Sequence, residues 1–426
     1  MSFLYPLMKI KTKILHNSMM RNGMLFSFFS FLNSGISFII TIVMASFILP
    51  SSYGDLNLFN TIVSLLAIFI SLNTTGMLGV NFFRVGKHEL NGYVNVMFLT
   101  TLTVGIIMSI SVVFFNKEFT KVIGLSNKFQ LYAILICMLQ VLSNNTLDIW
   151  RLEEKVIKYG VFTSLYVLSN LLLTLLFVGF LKWDWVGRVY AQLFTAIIFA
   201  ILGLAILIYK GYASFIKPNK AQIIDSYKFG LPLIPHSISF WFRQGLDRYI
   251  IFNNINNSAV GIFSFAYNFA NMMQIIGYAF NQSNSVNIYK ILSGKKEGGI
   301  KQLNKECKFL VLFYICLAII VSFASVLLIP ILFPKYSESI IYVVPLIIGG
   351  LGQCLYLTYV NILFYYKKTT VLMYITFVVS LLHCVASVLL TCHGLIYTSC
   401  ISMASNLLIF IFVYIYAKKV IRINFK

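Results

Sequence analysis

Long charge-free runs alternate with short segments holding nearly all of the Lys, Arg, Asp and Glu. In the first half the runs are Asn22–Gly54, Leu56–Phe83, Leu90–Asn116, Phe129–Leu147, Tyr159–Leu181 and Val189–Lys210. In the second half they are Phe229–Phe252, which contains ionisable groups, then Ser258–Tyr289, Phe309–Pro334 and Ser339–Tyr366. The last run, Thr369–Ala417, is too long for one crossing and breaks at Cys392-His393-Gly394. About 20 apolar residues in a helix cross the hydrocarbon of a bilayer. Lipid offers no partner for backbone N–H and C=O, so only helices and closed barrels can span it. A barrel strand would alternate apolar and polar over about ten residues, and these runs are continuously apolar. The expected fold class is an all-α polytopic membrane protein, with twelve transmembrane helices as two six-helix bundles around a central cavity. The first apolar run is too long for a signal-peptide core and lacks a cleavage site, so it is expected to be retained.

Composition agrees, with 59% of the 426 residues hydrophobic and 11% charged, against about 25% charged in soluble domains. The net charge of +21 does not mark a nucleic-acid binder, because the basic residues are scattered over many short loops rather than forming a patch. They follow topology instead. With a cytoplasmic N-terminus, 25 of the 33 Lys and Arg fall on the cytoplasmic side and 6 on the other. Arg243 and Arg248 fall inside the seventh run. Short loops biased in this way orient a membrane protein, so both termini are expected on the cytoplasmic side of the membrane.

Residues 1–209 form the expected N-terminal bundle, 210–228 a basic cytoplasmic linker, and 229–426 the C-terminal bundle. An offset of 207 residues brings Gly23 onto Gly230, Gly54 onto Gly261 and Gly187 onto Gly394. Ser51 meets Ser258 and Tyr190 meets Tyr397 at the same offset. Repeats with an even number of helices are parallel and related by an axis along the membrane normal. The seven cysteines are scattered without a C-x-x-C pair and read as packing thiols, so no metal site and no cofactor is expected.

Some residues carry more than topology. Leu49-Pro50-Ser51-Ser52-Tyr53-Gly54, with Gly76 and Arg84, is similar to the first helical hairpin of bacterial polysaccharide exporters. Tyr227-Lys228-Phe229-Gly230-Leu231-Pro232-Leu233-Ile234-Pro235, Asp247-Arg248 and Val260-Gly261-Ile262-Phe263-Ser264-Phe265-Ala266 continue the match. The chain thus resembles an O-antigen (Wzx-type) flippase of the multidrug/oligosaccharidyl-lipid/polysaccharide (MOP) exporter superfamily. That resemblance implies a role in lipopolysaccharide biosynthesis. An undecaprenyl-pyrophosphate-linked oligosaccharide would move from the cytoplasmic to the periplasmic leaflet by alternating access, driven by an ion gradient. It implies the lipid-linked oligosaccharide, membrane lipid, an O-antigen polymerase and a chain-length regulator as partners, with no nucleic acid.

Such a substrate needs cations facing a water-filled path, and Arg matches phosphate oxygens bidentately. Read as one helix from Gly230, the seventh span carries Arg243 about 20 Å along, too deep to reach the interface. His236, Phe240, Arg243 and Asp247 then share a face. Arg243, Arg248, Arg84 and His236 are the candidate substrate-binding residues, and Asp247 is the candidate for ion coupling. The bland alternatives are an Arg243–Asp247 pair at i,i+4, an Arg248 that snorkels, an interfacial Arg84 and a packing His236. Pro232 and Pro235 suggest a hinge. Asp148–Lys155 reads as a solvated loop helix, or more sharply as a cytoplasmic gate. No Walker motif appears, and of the five His only His88, with the adjacent Glu89, has an acidic residue within five positions after it, whereas a membrane acyltransferase would want one a few residues on. The competing functions are a multidrug exporter of the same superfamily and an O-antigen polymerase, an enzyme expected to carry a large periplasmic loop. The longest such connection here is about Lys117–Lys128.

Overall fold

The computed structural model describes residues 18–82, 84–214, 217–292, 299–366 and 368–424; the basic Lys9, Lys11 and Lys13 lie outside them. The first half contains α1 (Ser18–Phe47), α2 (Pro50–Ser71), the short α3 (Gly76–Asn81), α4 (Lys87–Phe114), α5 (Asn116–Ile123), α6 (Asn127–Leu152), α7 (Val156–Thr174) and α8 (Asp184–Tyr209). The second contains α9 (Lys220–Gly230), α10 (Ile234–Gln244), α11 (Leu246–Asn254), α12 (Asn257–Leu292), α13 (Gly299–Leu332), α14 (Ile340–Tyr365), α15 (Thr369–Leu390) and α16 (Leu395–Asn424). No strand occurs among the described residues.

Eleven of the described helices are long and apolar enough to cross a membrane. Their outer faces carry large apolar side chains such as Phe309, Phe323 and Leu382, all exposed, as lipid contact requires. The second span begins earlier than the charge pattern indicated. Pro50 opens α2, because a first-turn proline loses no helical hydrogen bond and has its φ preset.

The seventh segment departs from expectation. Instead of one helix over 229–252, the chain runs through α9, a 3-10 turn at Leu231–Leu233, α10 and α11. Pro232 and Pro235 account for the first interruption, since each removes a donor from the ladder. Gly245 makes the second, lying between α10 and α11 with its α-carbon under the Trp241 indole. A β-carbon there would come within 2.6 Å of Trp241 Nε1.

Two compact units emerge, and they cut across the chain-order halves. The first comprises residues 1–43, 69–111 and 131–232; the second comprises 44–68, 112–130 and 233–426. In the first, Met77, Leu78, Leu90, Val94, Met97 and Ile149 form a buried core. At its charged edge Glu153 accepts from Tyr212 Oη at 2.8 Å and pairs with Lys155 Nζ at 2.8 Å and Lys210 Nζ at 3.2 Å. The end of the Asp148–Lys155 run is therefore tied down rather than simply solvated. Burial pushes the Glu153 carboxyl up, but the hydrogen bonds from Lys155, Tyr212 and Lys210 outweigh it and hold the carboxyl below its usual range.

In the second unit, α14 is packed between α12 and α16, with Gly349 and Gly352 against the α16 backbone at Met403 and Asn406. The start of α2 crosses the start of α12 through glycines. A β-carbon on Gly54 would meet the Asn257 carbonyl, and one on Gly261 would meet the Pro50 carbonyl. Pro50 maps onto Asn257 and Gly54 onto Gly261 at the 207-residue offset, so the crossing is self-complementary.

Candidate functional site

The second unit gathers most of its buried polar groups where α10, α11, α12, α15 and α16 meet. Arg243, near the end of α10, is 7% exposed. One terminal nitrogen donates to Asn406 Oδ1 on α16 at 3.2 Å, and the guanidinium lies 5.1 Å from the centre of the Phe240 ring. Its Nε is buried without an acceptor among the described residues. Arg248 is 8% exposed but better held. Its Nε donates to Ser264 Oγ at 3.1 Å, a terminal nitrogen donates to the Gln244 carbonyl, and Tyr267 stacks beneath at 5.1 Å.

Asp247 does not pair with Arg243. The break at Gly245 separates the two residues onto different helices and turns the carboxylate toward α15 and α16. There it accepts from Ser387 Oγ at 2.7 Å and Ser402 Oγ at 3.1 Å, and lies 3.1 Å from His383 Nε2. The i,i+4 ion pair and the single shared face are thus both replaced. Arg248 does not snorkel, because its guanidinium is enclosed between α10 and α12.

Beside Arg248 lies a cavity of about 330 Å³. Its wall offers carboxamides from Asn57, Asn60, Gln244 and Asn271 and the rings of Trp241 and Tyr267. Trp241 is fixed by an Nε1 hydrogen bond to the Thr61 carbonyl at 3.2 Å. Carboxamides both donate and accept, and an indole face packs on the C–H face of a sugar, so the lining suits a neutral polyhydroxylated ligand.

Of the residues singled out from sequence, the structure brings together Arg243, Asp247 and Arg248. Arg84 lies in the first unit, exposed in the turn after α3. The side chain of His236 lies outside the described residues. His383 escaped the sequence reading because its acidic partner is 136 residues earlier. The signal that could have found it is a polar stripe in an apolar helix: Thr376, Ser380, His383 and Ser387 recur at helical spacing on α15 and are all buried. No cluster of three or more His, Cys, Asp or Glu that could hold a metal occurs among the described residues.

Comparison with known proteins places this architecture. The family described as "Polysaccharide biosynthesis protein" matches residues 19–283. A protein of the Lsg locus of Haemophilus influenzae is 24% identical over 374 residues, covering 86% of this chain and 90% of that one. An uncharacterised membrane protein of the same organism is 26% identical over 258 residues, 58% of this chain and 59% of its own. Among solved structures, the lipid II flippase MurJ in an inward closed conformation superposes with a TM-score of 0.74 at 13% identity, covering 93% of this chain and 87% of that one. An inward-facing multidrug transporter of the MATE family gives a TM-score of 0.70 at 12% identity, covering 93% and 96%. At these identities the likeness establishes the fold. With well over half of the chain matched by one family, this multi-pass membrane protein, built on the MOP-superfamily transporter fold, belongs to the polysaccharide biosynthesis protein family.

Proposed function

We propose that the protein is a flippase for undecaprenyl-pyrophosphate-linked oligosaccharide units of O-antigen type. It would carry them from the cytoplasmic to the periplasmic leaflet of the bacterial inner membrane by alternating access, coupled to an ion gradient through Asp247. Both termini lie in the cytoplasm in this reading, and the protein performs no covalent chemistry. The observation that carries the reading is Arg243. A guanidinium this deep in a membrane helix is costly unless an anion meets it. Here its one hydrogen-bond partner among the described residues is a neutral amide, and its Nε is bare. A pyrophosphate oxygen supplies the missing acceptor with bidentate geometry. The carboxamide- and indole-lined cavity beside Arg248 adds a surface suited to the glycan. Buried Arg243 and Arg248 against the single carboxylate of Asp247 leave an excess of positive charge, which disfavours cationic drugs.

Deletion of the gene in its host, followed by analysis of surface lipopolysaccharide, tests this reading. Loss of repeat units at the surface, with carrier-linked oligosaccharide trapped on the cytoplasmic face, is expected. Complementation with wild type should restore the surface sugar. Arg243→Ala at equal membrane abundance should restore less than a tenth of it, and Arg243→Lys an intermediate amount. Surface chains bearing a single repeat unit would instead assign polymerisation. A normal surface with new drug sensitivity would assign the multidrug exporter.

A further inference from the structure

Among the described residues, the cavity beside Arg248 is walled by one cation and no anion. Its lining comes from α2, α10, α11 and α12 with Gly245 between, and includes no Asp or Glu. At about 330 Å³ it is at the small end of the roughly 300–1,000 Å³ typical of small-molecule sites, so it takes a single sugar ring rather than a whole repeat unit. The carboxamides of Gln244 and Asn271 and the Trp241 indole serve the neutral part of such a ring, its hydroxyls and C–H face. Arg248 asks for something more. A guanidinium has five N–H donors. Here Nε–H goes to Ser264 Oγ, and one N–H of Nη1 goes to the Gln244 carbonyl. Nη2 has no acceptor among the described residues, and unlike Arg243 Nε it is not sealed off by protein. Asp247, next to Arg248 in the chain, does not supply an acceptor, because its oxygens meet Ser387, Ser402 and His383 on α15 and α16. A guanidinium that is 8% exposed thus lines a cavity with three donors left over and no ion-pair partner among the described residues.

We propose that this cavity is a subsite for one sugar residue bearing a carboxylate, and that Arg248 selects it. The donors left over are two on Nη2 and one on Nη1, so one N–H from each terminal nitrogen can meet the two oxygens of a carboxylate. Tyr267 stacks beneath the guanidinium, which leaves its edge for a partner in the plane. One negative charge balances the single cation in the wall, whereas a phosphate ester would bring about −1.5 to −2. A neutral sugar of the same shape would leave the guanidinium unpaired, and that penalty is the source of selectivity. Trp241 is a positioning residue for the ring. The Thr61 carbonyl holds its indole from α2, and the missing side chain at Gly245 leaves room for it. The two buried arginines then divide the substrate, with Arg243 for the pyrophosphate and Arg248 for the acidic sugar. This inference rests on the flippase reading above and deepens it by naming the substrate class, an acidic oligosaccharide.

The first test is the sugar composition of the surface polysaccharide that the gene's deletion removes. A carboxylate-bearing sugar in its repeat unit is expected, and a repeat unit without one would overturn the subsite. The second test expresses the full-length protein in paired hosts lacking their own flippase, whose repeat units differ only by a carboxylate or a hydroxymethyl group on one sugar. Arg248→Gln, at membrane abundance equal to wild type, should lower surface sugar at least about tenfold in the carboxylate host and less than about twofold in the other. Equal loss in both hosts would give Arg248 to the pyrophosphate or to folding, and no loss in either would leave it without a substrate role; each result overturns the proposal. Asn271→Asp keeps the Arg248 contacts with Ser264 and Gln244 while adding a negative charge to the wall, so it should reproduce the selective loss even if Arg248→Gln does not fold. Loss in neither host or in both alike would again count against the subsite. The two readings fail separately. A deletion that leaves the surface normal, or decorated with single repeat units, defeats the flippase reading. A deletion that removes repeat units holding no carboxylate defeats only the acidic-sugar subsite.

Discussion

The crossing of α2 and α12 offers the sharpest test of the packing. Gly261→Ala would place its β-carbon inside the van der Waals shell of the Pro50 carbonyl oxygen and 2.7 Å from the carbonyl carbon. Ordinary β-carbon contacts begin at 3.4 Å, so the two backbones must part by at least about 0.7 Å. The obstructing atoms are main chain and cannot swing away. Overpacking of this kind costs about 1–3 kcal/mol, and the rigidity of the obstacle puts it at the upper end. Replacing glycine by alanine in a helix returns about 1 kcal/mol of backbone propensity. The net expectation is a destabilisation of about 2 kcal/mol, or a fall of about 4–8 °C in melting temperature by the scaling for domains of this order of size. Thermal unfolding of the detergent-solubilised protein, followed by intrinsic fluorescence, reads it. Gly35→Ala is the control, because α1 has nothing within 4 Å of that position, and it should be neutral or slightly stabilising. If Gly261→Ala melts with the control, the close crossing is not a feature of the folded protein.

Other expectations concern charge and orientation. The Glu153 carboxyl is held low in the folded state, so it contributes stability above the unfolded carboxylate range, and that contribution is lost as pH falls through the depressed folded value. Glu153→Gln should therefore cost about 1 kcal/mol at neutral pH and flatten the decline in melting temperature below about pH 5; an unchanged acid limb would count against the Lys155–Glu153–Lys210–Tyr212 network. Gly245→Leu should lower the yield of folded protein, since the indole of Trp241 occupies the space its side chain needs, whereas Gly79→Ala, with nothing within 4 Å, should not. Cys392 is exposed in the turn between α15 and α16, so a membrane-impermeant maleimide should label it from the periplasmic side of intact cells. Labelling only after permeabilisation would reverse the assigned orientation.

The spans were legible because burial in lipid demands unbroken apolar runs, and Lys and Arg mark their ends. The crossing at Gly54 and Gly261 was foreshadowed by the 207-residue offset, which registers a contact that maps onto itself. The seventh segment was not read correctly. Gly245 is one residue in an otherwise helical pattern, and what forces the break is the indole above it together with partners for Asp247 that lie far along the chain. Arg243 and Arg248 stood out as charges in an apolar run, but their difference did not. Ser264, the Gln244 carbonyl and the Tyr267 ring hold Arg248, while Arg243 Nε has no acceptor among the described residues, and only the folded geometry distinguishes them. His383 was hidden because sequence neighbours say nothing about a carboxylate on another helix.

The broken α10–α11 segment also sets a problem for synthesis. Arg243, Asp247 and Arg248 each cost about 3 kcal/mol at the centre of an inserting helix, so this stretch is a poor membrane span when it leaves the ribosome. Its carboxylate is satisfied by His383, Ser387 and Ser402, the first of them 136 residues downstream. At about 5–20 residues per second, roughly 7–27 s of translation separate the need from its answer. During that interval the nascent chain must keep three charges at the bilayer surface or inside the insertion machinery. A chain terminated before α15 would be left with a segment that neither water nor lipid accommodates well.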